Sequence, residues 1–317
     1  MHAVRDERQD REEGSGPDAS LFQRFLPEID HRTTGEILSH PGFARMRPAY
    51  ITATTAHYEV GVLPGHWQST AGRVAALGAF ICNDAVCDPT DRATWPTLAR
   101  FKESVAVFGL TSPRQIDEIV ARLVSTGHLT LERPADDGRV RLLRPTERLL
   151  AWDREVLASY YSALRLLYPE TGYGPALDRD PAFQRAQRGV ATTMFPVIGR
   201  FLAANTDLLP FLSMNNGVHV LLMLAEASAA APTAPVRESA LAGLKPRFGF
   251  SRSHVRNVLI AAEAHGLVVR RGPVGLGLTP RGSAALDRFI ADTLASHDMT
   301  YRMARRAMET PPRRPCG

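Results

Sequence analysis

The chain has 317 residues, of which 44% are hydrophobic, and this length and composition suit about two globular domains. Its formal net charge is +5, with 38 basic residues of which only Lys102 and Lys245 are lysines, so a polyanionic partner is permitted but not required. Three cysteines are too few for a disulfide framework, and Cys82 and Cys87 lack the second ligand pair that a zinc site needs.

The sequence also argues against membrane insertion and catalysis. No apolar run reaches the roughly 18 residues of a membrane span, and the first residues lack the apolar core of a signal peptide. A glycine-rich phosphate loop after a strand, an H-x-x-x-H spacing and a G-x-S-x-G motif are all missing from the sequence. We therefore expect a cytoplasmic protein that is not an enzyme and that holds no metal or cofactor.

Between two predicted disordered tails, residues 1–19 and 309–317, the sequence repeats itself with a period of about 140 residues. An ordered series of matches is much harder to obtain by chance than a single one. We therefore predict two units, residues 20–168 and 169–308. The matches are Pro27-Glu28 with Pro169-Glu170, Phe43 with Phe183, Phe108-Gly109 with Phe248-Gly249, and Gly127 with Gly266.

Both units have the same predicted order of elements. An N-terminal helical region precedes an apolar helix, a short helix, an amphipathic helix, a two-stranded hairpin and a long final helix. Apart from the amphipathic helices, the predicted helices lie at about 35–60, 73–82, 95–107 and 147–168 in the first unit, and at about 178–205, 217–227, 236–247 and 280–308 in the second.

The two amphipathic helices carry matching start and stop signals. Ser112 is the predicted N-cap of the first, with Pro113 at the first helical position and Gln115 completing a capping box, and Ser251 caps the second. Each helix ends near a glycine, Gly127 or Gly266, that suits a left-handed cap. The predicted buried stripes are Ile116, Ile119, Val120 and Leu123 in the first helix, and Val255, Val258, Leu259 and Ala262 in the second.

Helix, turn, capped helix and hairpin is the order of a winged helix-turn-helix, in which the N-terminal residues of the second helix contact bases and the wing contacts the backbone. The first unit carries Gly127-x-Leu129, an Asp-x-Arg at Asp137 and Arg139, and Thr146, and the second carries Leu278, Thr279 and Gly282. On these residues the sequence resembles the multiple-antibiotic-resistance-regulator (MarR) family of bacterial transcription factors. Two features depart from that pattern: Leu149 stands where the glycine would be, and the second wing is shorter and has no Asp-x-Arg.

This resemblance implies mainly α structure with small β-wings: two tandem winged helix-turn-helix modules that contact double-stranded DNA. Arginine suits guanine, and Gln or Asn suits adenine. The second unit is the stronger candidate because its helix is more basic, whereas Asp137 is expected to orient arginines through a salt bridge. The candidate DNA-binding residues are Thr111, Ser112, Arg114, Gln115, Glu118, Arg139 and Arg141 in the first unit, and Lys245, Arg247, Ser251, Arg252, Ser253, His254, Arg256, Asn257, Arg270 and Arg271 in the second.

Members of the resembling family are normally homodimers that pair through their terminal helices. Here one chain carries both units, and the predicted helix 147–168 has more apolar surface than a lone solvated helix should display. We therefore predict that the units pack as a pseudo-dimer within one chain, which is then expected to act as a monomer.

The sequence thus predicts a sequence-specific transcriptional regulator in the bacterial cytoplasm, associated with the nucleoid. A small-molecule effector is a further expectation, with Tyr58, Trp67, Trp152, Tyr160 and Tyr161 as aromatic candidates for its pocket, although core packing is the commoner role of such residues. Two alternatives stay open: a tandem winged-helix replication initiator, and a winged-helix scaffold that does not bind DNA.

Overall fold

A computed structural model describes residues 26, 28–59, 69–108, 112–134, 137–230, 234–242, 251–272 and 275–309. In these residues the chain is mainly helical and forms two small antiparallel sheets, as the sequence predicts. We refer to the residues up to 168 as the first half and to those from 169 onward as the second half.

The first half begins with two helices in the N-terminal helical region of the predicted repeat. Its elements are α1 (Thr34–Ser39), α2 (Phe43–Thr55), α3 (Ala71–Ala85), α4 (Leu98–Ala106), α5 (Pro113–Ser125), β1 (Leu129–Glu132), β2 (Leu142–Pro145) and α6 (Glu147–Leu167).

The second half repeats this order, with two extra short helices after the N-terminal ones and one extra strand, Val236–Arg237. Its elements are α7 (Gly174–Leu177), α8 (Pro181–Ala191), α9 (Phe195–Ala204), α10 (Leu209–Ser213), α11 (Gly217–Ala230), β3 (Val236–Arg237), α12 (Glu238–Ala242), α13 (Arg252–Ala264), β4 (Val268–Arg271), β5 (Gly275–Leu278) and α14 (Pro280–Glu309). The last helix includes Glu309, so the predicted start of the C-terminal tail at residue 309 is one residue too early.

Each hairpin is joined by a third extended segment that comes from far earlier in the chain. In the first half, Thr97 forms a bridge with Leu142 at the edge of the β1–β2 hairpin. In the second half, β3 pairs with β5, with Val236 opposite Leu276, and gives the strand order β3-β5-β4. The prediction of a helix over 236–247 was therefore wrong for Val236 and Arg237. Their backbone groups pair with strand β5, which lies some 40 residues later in the chain.

The start signals of α5 and α13 are confirmed. The Ser112 and Ser251 hydroxyls accept from the backbone N–H groups of Gln115 and His254, at 3.3 and 3.2 Å. The Gln115 side chain returns to the Ser112 N–H at 2.9 Å, which completes the predicted capping box. All eight residues of the two predicted apolar stripes are buried.

The helix ends are also alike in both halves. Gly127 and Gly266 each have a φ of +71°, a left-handed conformation that side chains rarely adopt. Thr146 and Thr279, which precede the final helices, donate their hydroxyls to the carbonyl oxygens of those glycines, at 2.8 and 2.7 Å. The same hydrogen bond between a threonine and a glycine therefore connects the helix end to the start of the final helix in both halves.

The two halves are packed together through reciprocal helix contacts. Helix α2 of the first half lies against α11 of the second, and α8 of the second half lies against α3 of the first. In the same way α1 contacts α14, α7 contacts α6, and the long helices α6 and α14 contact each other. One core cluster accordingly draws on both halves, including Ile37, Tyr161, Phe183, Leu221 and Leu294.

Two ion pairs cross between the halves at corresponding places. Asp153 in α6 pairs with Arg188 in α8 at 2.5 Å, and Asp287 in α14 pairs with Arg47 in α2 at 3.0 Å. Each acid belongs to an Asp-Arg dipeptide of a long helix. The first pair is buried, whereas about a quarter of each side chain in the second pair is exposed.

Candidate nucleic-acid interface

The N-terminal turns of α13 present basic side chains to solvent. Arg252, Arg256 and Asn257 are exposed on the face opposite the buried stripe. Within the described part of the chain, neither arginine has an ion-pair partner. The free N–H groups and dipole of the helix N-terminus add to the attraction for phosphate. This turn therefore combines a positive surface with arginine and asparagine groups that can contact base edges.

Two other candidates on α13 have local partners. His254 lies against the backbone carbonyl of Asn215, just before α11, through its Nε2 atom. The Ser253 hydroxyl is 2.9 Å from the Ser251 hydroxyl, which caps the helix. These side chains hold α13 in place and are less available to DNA than Arg252 and Arg256.

The corresponding surface of α5 is neutralised by ion pairs. Arg114 pairs with Glu118 at 3.1 Å on the helix itself, and Asp117 pairs with Lys102 of α4 at 2.7 Å. The Gln115 oxygen is used in the capping box, which leaves only its NH2 group for an outside partner. The two halves therefore offer unlike surfaces, and α13 is the more basic of the two.

The tip of the first hairpin is organised by Asp137. This carboxylate pairs with Arg92 at 3.4 Å and accepts from the Arg139 backbone N–H at 3.1 Å. The Arg92 guanidinium also lies over the Trp95 ring, 5.1 Å from its centroid. The side chains of Arg139 and Arg141 are exposed, and no described residue forms an ion pair with either.

The second hairpin carries Arg270 and Arg271, both exposed. Arg270 pairs with Glu263 of α13 at 3.0 Å, whereas Arg271 has no ion pair within the described ranges. Three further candidates, Thr111, Lys245 and Arg247, lie outside the described residues. Sequence reasoning missed the partners Arg92, Lys102 and Asn215, because each comes from an element that is distant in sequence.

The five aromatic candidates for an effector pocket divide between cavity and core. Tyr58 and Tyr160 line a cavity between the two halves. Trp152 and Tyr161 are buried in the two core clusters, and Trp67 lies outside the described residues. Cys82 is a buried free thiol, and burial raises its pKa to about 12, so it stays protonated.

Metal-binding clusters of histidine, cysteine and carboxylate side chains are not found within the described ranges. None of the helices that the structure describes combines the length and the apolar character of a membrane span. Comparisons with known protein families, with characterised proteins and with solved structures found no match to this chain.

Proposed function

We propose that the protein is a sequence-specific, double-stranded-DNA-binding transcriptional regulator. The observation that carries this proposal is the N-terminus of α13, where Arg252 and Arg256 are exposed and lack ion-pair partners in the described structure. A hairpin with a third strand follows in the order expected of a winged helix-turn-helix. The resemblance of the sequence to the MarR family supports the same function.

We further propose that the two halves are winged helix-turn-helix modules paired as a pseudo-dimer. Support comes from the reciprocal contacts of α2 with α11 and of α8 with α3, which are the arrangement that an isologous interface would produce. The matched ion pairs Asp153–Arg188 and Asp287–Arg47 support it too. One chain then supplies both recognition helices, α5 and α13.

Because α5 and α13 differ in charge and in exposed side chains, the preferred site has two unlike half-sites. The proposal extends to a small-molecule effector, for which the cavity between the halves is the candidate site. Localisation at the bacterial nucleoid follows from the proposed DNA binding.

Selection of bound sequences from random duplex DNA tests this function. We expect enrichment of one asymmetric sequence, with binding that weakens steeply as salt rises because arginines displace counterions from phosphates. A chain that enriches no sequence and shows no salt-dependent binding would instead support the scaffold alternative. Enrichment of iterated short sites would favour the replication initiator.

A further inference from the structure

A cavity of about 300 Å³ lies where the two halves meet. Its wall is built by α2, α3 and α6 of the first half together with α8, α9, α10, α11 and α14 of the second. Small-molecule pockets begin at about this size. Because corresponding helices of both halves share one wall, this is a joint cavity and not one belonging to either half.

Most of the wall is apolar or aromatic. Phe201 and Phe289 stack with ring centroids 5.8 Å apart, and Tyr160 stacks on His297 at 4.1 Å. Flat rings on several sides suit a planar or compact apolar molecule. The pocket therefore suits a largely apolar ligand better than a ligand with many polar groups.

Gln187 and His297 each carry a polar atom on the wall that has no hydrogen-bond partner among the described residues. The Gln187 side chain is 1% exposed, and its Nε2 donates to the Thr300 hydroxyl at 3.0 Å, but no described group donates to its Oε1. The Nδ1 atom of His297 likewise has no described partner. A buried acceptor without a donor is costly, and a ligand that supplies the donor removes that cost.

The arginine charge at the cavity is compensated by a carboxylate. Arg188 is the arginine of the described wall, and it pairs with Asp153 at 2.5 Å. Burial, with a further contribution from Arg188, lowers the pKa of His297 to about 3, so its imidazole is uncharged at neutral pH. Burial also raises the pKa of Tyr50, Tyr58 and Tyr160, which stay protonated. A charged ligand would therefore meet no unpaired arginine or carboxylate among the described lining residues.

We propose that this joint cavity binds one uncharged, largely apolar molecule per chain, and that a hydroxyl or N–H group of the ligand donates to Oε1 of Gln187. A homodimer of single units would offer two equivalent pockets by symmetry. In this chain, by contrast, the two halves share the wall of one cavity, so one ligand site serves both recognition helices.

The cavity wall is also connected to α13. The Ser69 hydroxyl, on the wall, is 3.0 Å from the Asn215 side chain, and Asn216, also on the wall, has a φ of +50°. His254 of α13 contacts the carbonyl of Asn215, one residue away. A ligand that moves Asn216 would therefore shift α13, and this regulatory consequence, unlike the binding itself, rests on the proposed function.

The proposal is tested with three naphthalene probes of similar shape, by titration calorimetry on the full chain. 2-Naphthol is neutral and has a hydroxyl donor, 2-methoxynaphthalene is neutral without one, and 2-naphthoate is an anion. We expect 2-naphthol to bind with one molecule per chain, 2-methoxynaphthalene roughly five- to tenfold more weakly because one hydrogen bond is lost, and 2-naphthoate most weakly of all. Failure of 2-naphthol to bind, binding of two molecules per chain, or a preference for 2-naphthoate would overturn the proposal.

Two variants locate the binding. Gln187→Met removes the acceptor at similar volume, and should reduce the affinity for 2-naphthol to that for 2-methoxynaphthalene while leaving the latter unchanged. Val74→Phe fills the cavity from α3 and should abolish binding of both probes. Unaltered binding in Val74→Phe places the probes elsewhere and refutes the site, and this holds even if Gln187→Met does not fold.

The regulatory consequence has a separate measurement. Saturating 2-naphthol should change the affinity for the selected DNA at least threefold in the wild type and leave it unchanged in Val74→Phe. If the chain binds no DNA but 2-naphthol still binds as expected, the proposed function fails while the binding site stands.

Discussion

The buried ion pair between Asp153 and Arg188 differs from its counterpart, Asp287 and Arg47, mainly in exposure. The Asp153 side chain is 2% exposed and that of Arg188 is 13%, against 25% and 24% for Asp287 and Arg47. Asp153 also accepts from Gln184 at 2.8 Å, so it is the centre of a small buried network. Removing one partner of a buried pair leaves an uncompensated charge, whereas solvent partly compensates the charge left by a partly exposed pair.

We therefore predict that Asp153→Asn lowers the free energy of unfolding by about 3–5 kcal/mol, and that Asp287→Asn lowers it by about 1 kcal/mol or less. Urea unfolding followed by circular dichroism measures both values. Equal losses for the two variants would show that exposure does not distinguish these pairs.

Arg252 and Arg256 are the residues on which DNA affinity is predicted to depend most. Arg252→Ala and Arg256→Ala should each weaken binding to the selected sequence by roughly 1–3 kcal/mol if the arginine contacts a base. Arg165→Ala is the matched control, since Arg165 is exposed at the far end of α6. Fluorescence anisotropy with labelled duplex measures all three, and unchanged affinity in the two α13 variants, with intact folding, would refute this role.

His297 should make stability depend on pH. Its pKa is lowered by burial to about 3 in the folded protein, against a usual value near 6.5, so between these values the unfolded chain binds a proton that the folded chain does not. The free energy of unfolding must then fall as pH falls through this window. We expect the wild type to lose about 1–2 kcal/mol more than His297→Phe between pH 7 and pH 5.

Thermal or urea unfolding at the two pH values measures that difference. The phenyl ring keeps the stacking on Tyr160 but does not titrate. His57 and His128, whose pKa values burial also lowers, are present in both proteins and cancel. Identical pH dependence would mean that the pKa of His297 is the same in the folded and the unfolded chain.

At the scale of elements, the start of α14 is packed against the hairpin more closely than a side chain allows. A Cβ atom added at Gly282 would lie 2.1 Å from the carbonyl oxygen of Leu267, which already accepts from the Thr279 N–H at 3.0 Å. The corresponding residue of α6 is Leu149, which is fully buried, so the two halves join hairpin and final helix with different side chains. Glycine is required only in the second half.

Gly282→Ala is therefore expected to destabilise the protein by about 1–3 kcal/mol through forced displacement of the hairpin. Gly78→Ala in α3 is the control, because its added Cβ meets nothing within 4 Å and alanine favours a helix interior. Urea midpoints compare the two variants. A Gly282→Ala protein as stable as Gly78→Ala would contradict the tight approach.

The elements that could be predicted from the sequence are those specified by neighbouring residues. Caps at Ser112 and Ser251 and the buried stripes of α5 and α13 depend on residues within one helix, so their patterns are visible locally. Strand β3 escaped prediction because its partner β5 is remote in sequence. Two features of the candidate sites also escaped prediction, because each arises only when separate helices come together. They are the His254–Asn215 contact and the unpartnered oxygen of Gln187.

At the scale of the whole molecule, the prediction concerns the number of chains on one DNA site. Light scattering should find one chain on the selected sequence, and footprinting should find two protected half-sites about one helical turn apart with unlike sequences. Duplexes that carry two copies of either half-site should bind at least tenfold more weakly. A palindrome bound by two chains, each using one half, would disprove the pseudo-dimer and leave DNA binding intact.

The contacts between helices of the two halves decide whether their pairing depends on protein concentration. Subunits of a homodimer separate on dilution, whereas α2 and α11 belong to one polypeptide and meet at an effective concentration set by the connecting chain, on the order of millimolar. The melting temperature should therefore be the same at nanomolar and at micromolar protein. Such a molecule stays paired at a few copies per cell. Each half can also acquire its own substitutions without altering the other, because the two surfaces are encoded by different residues.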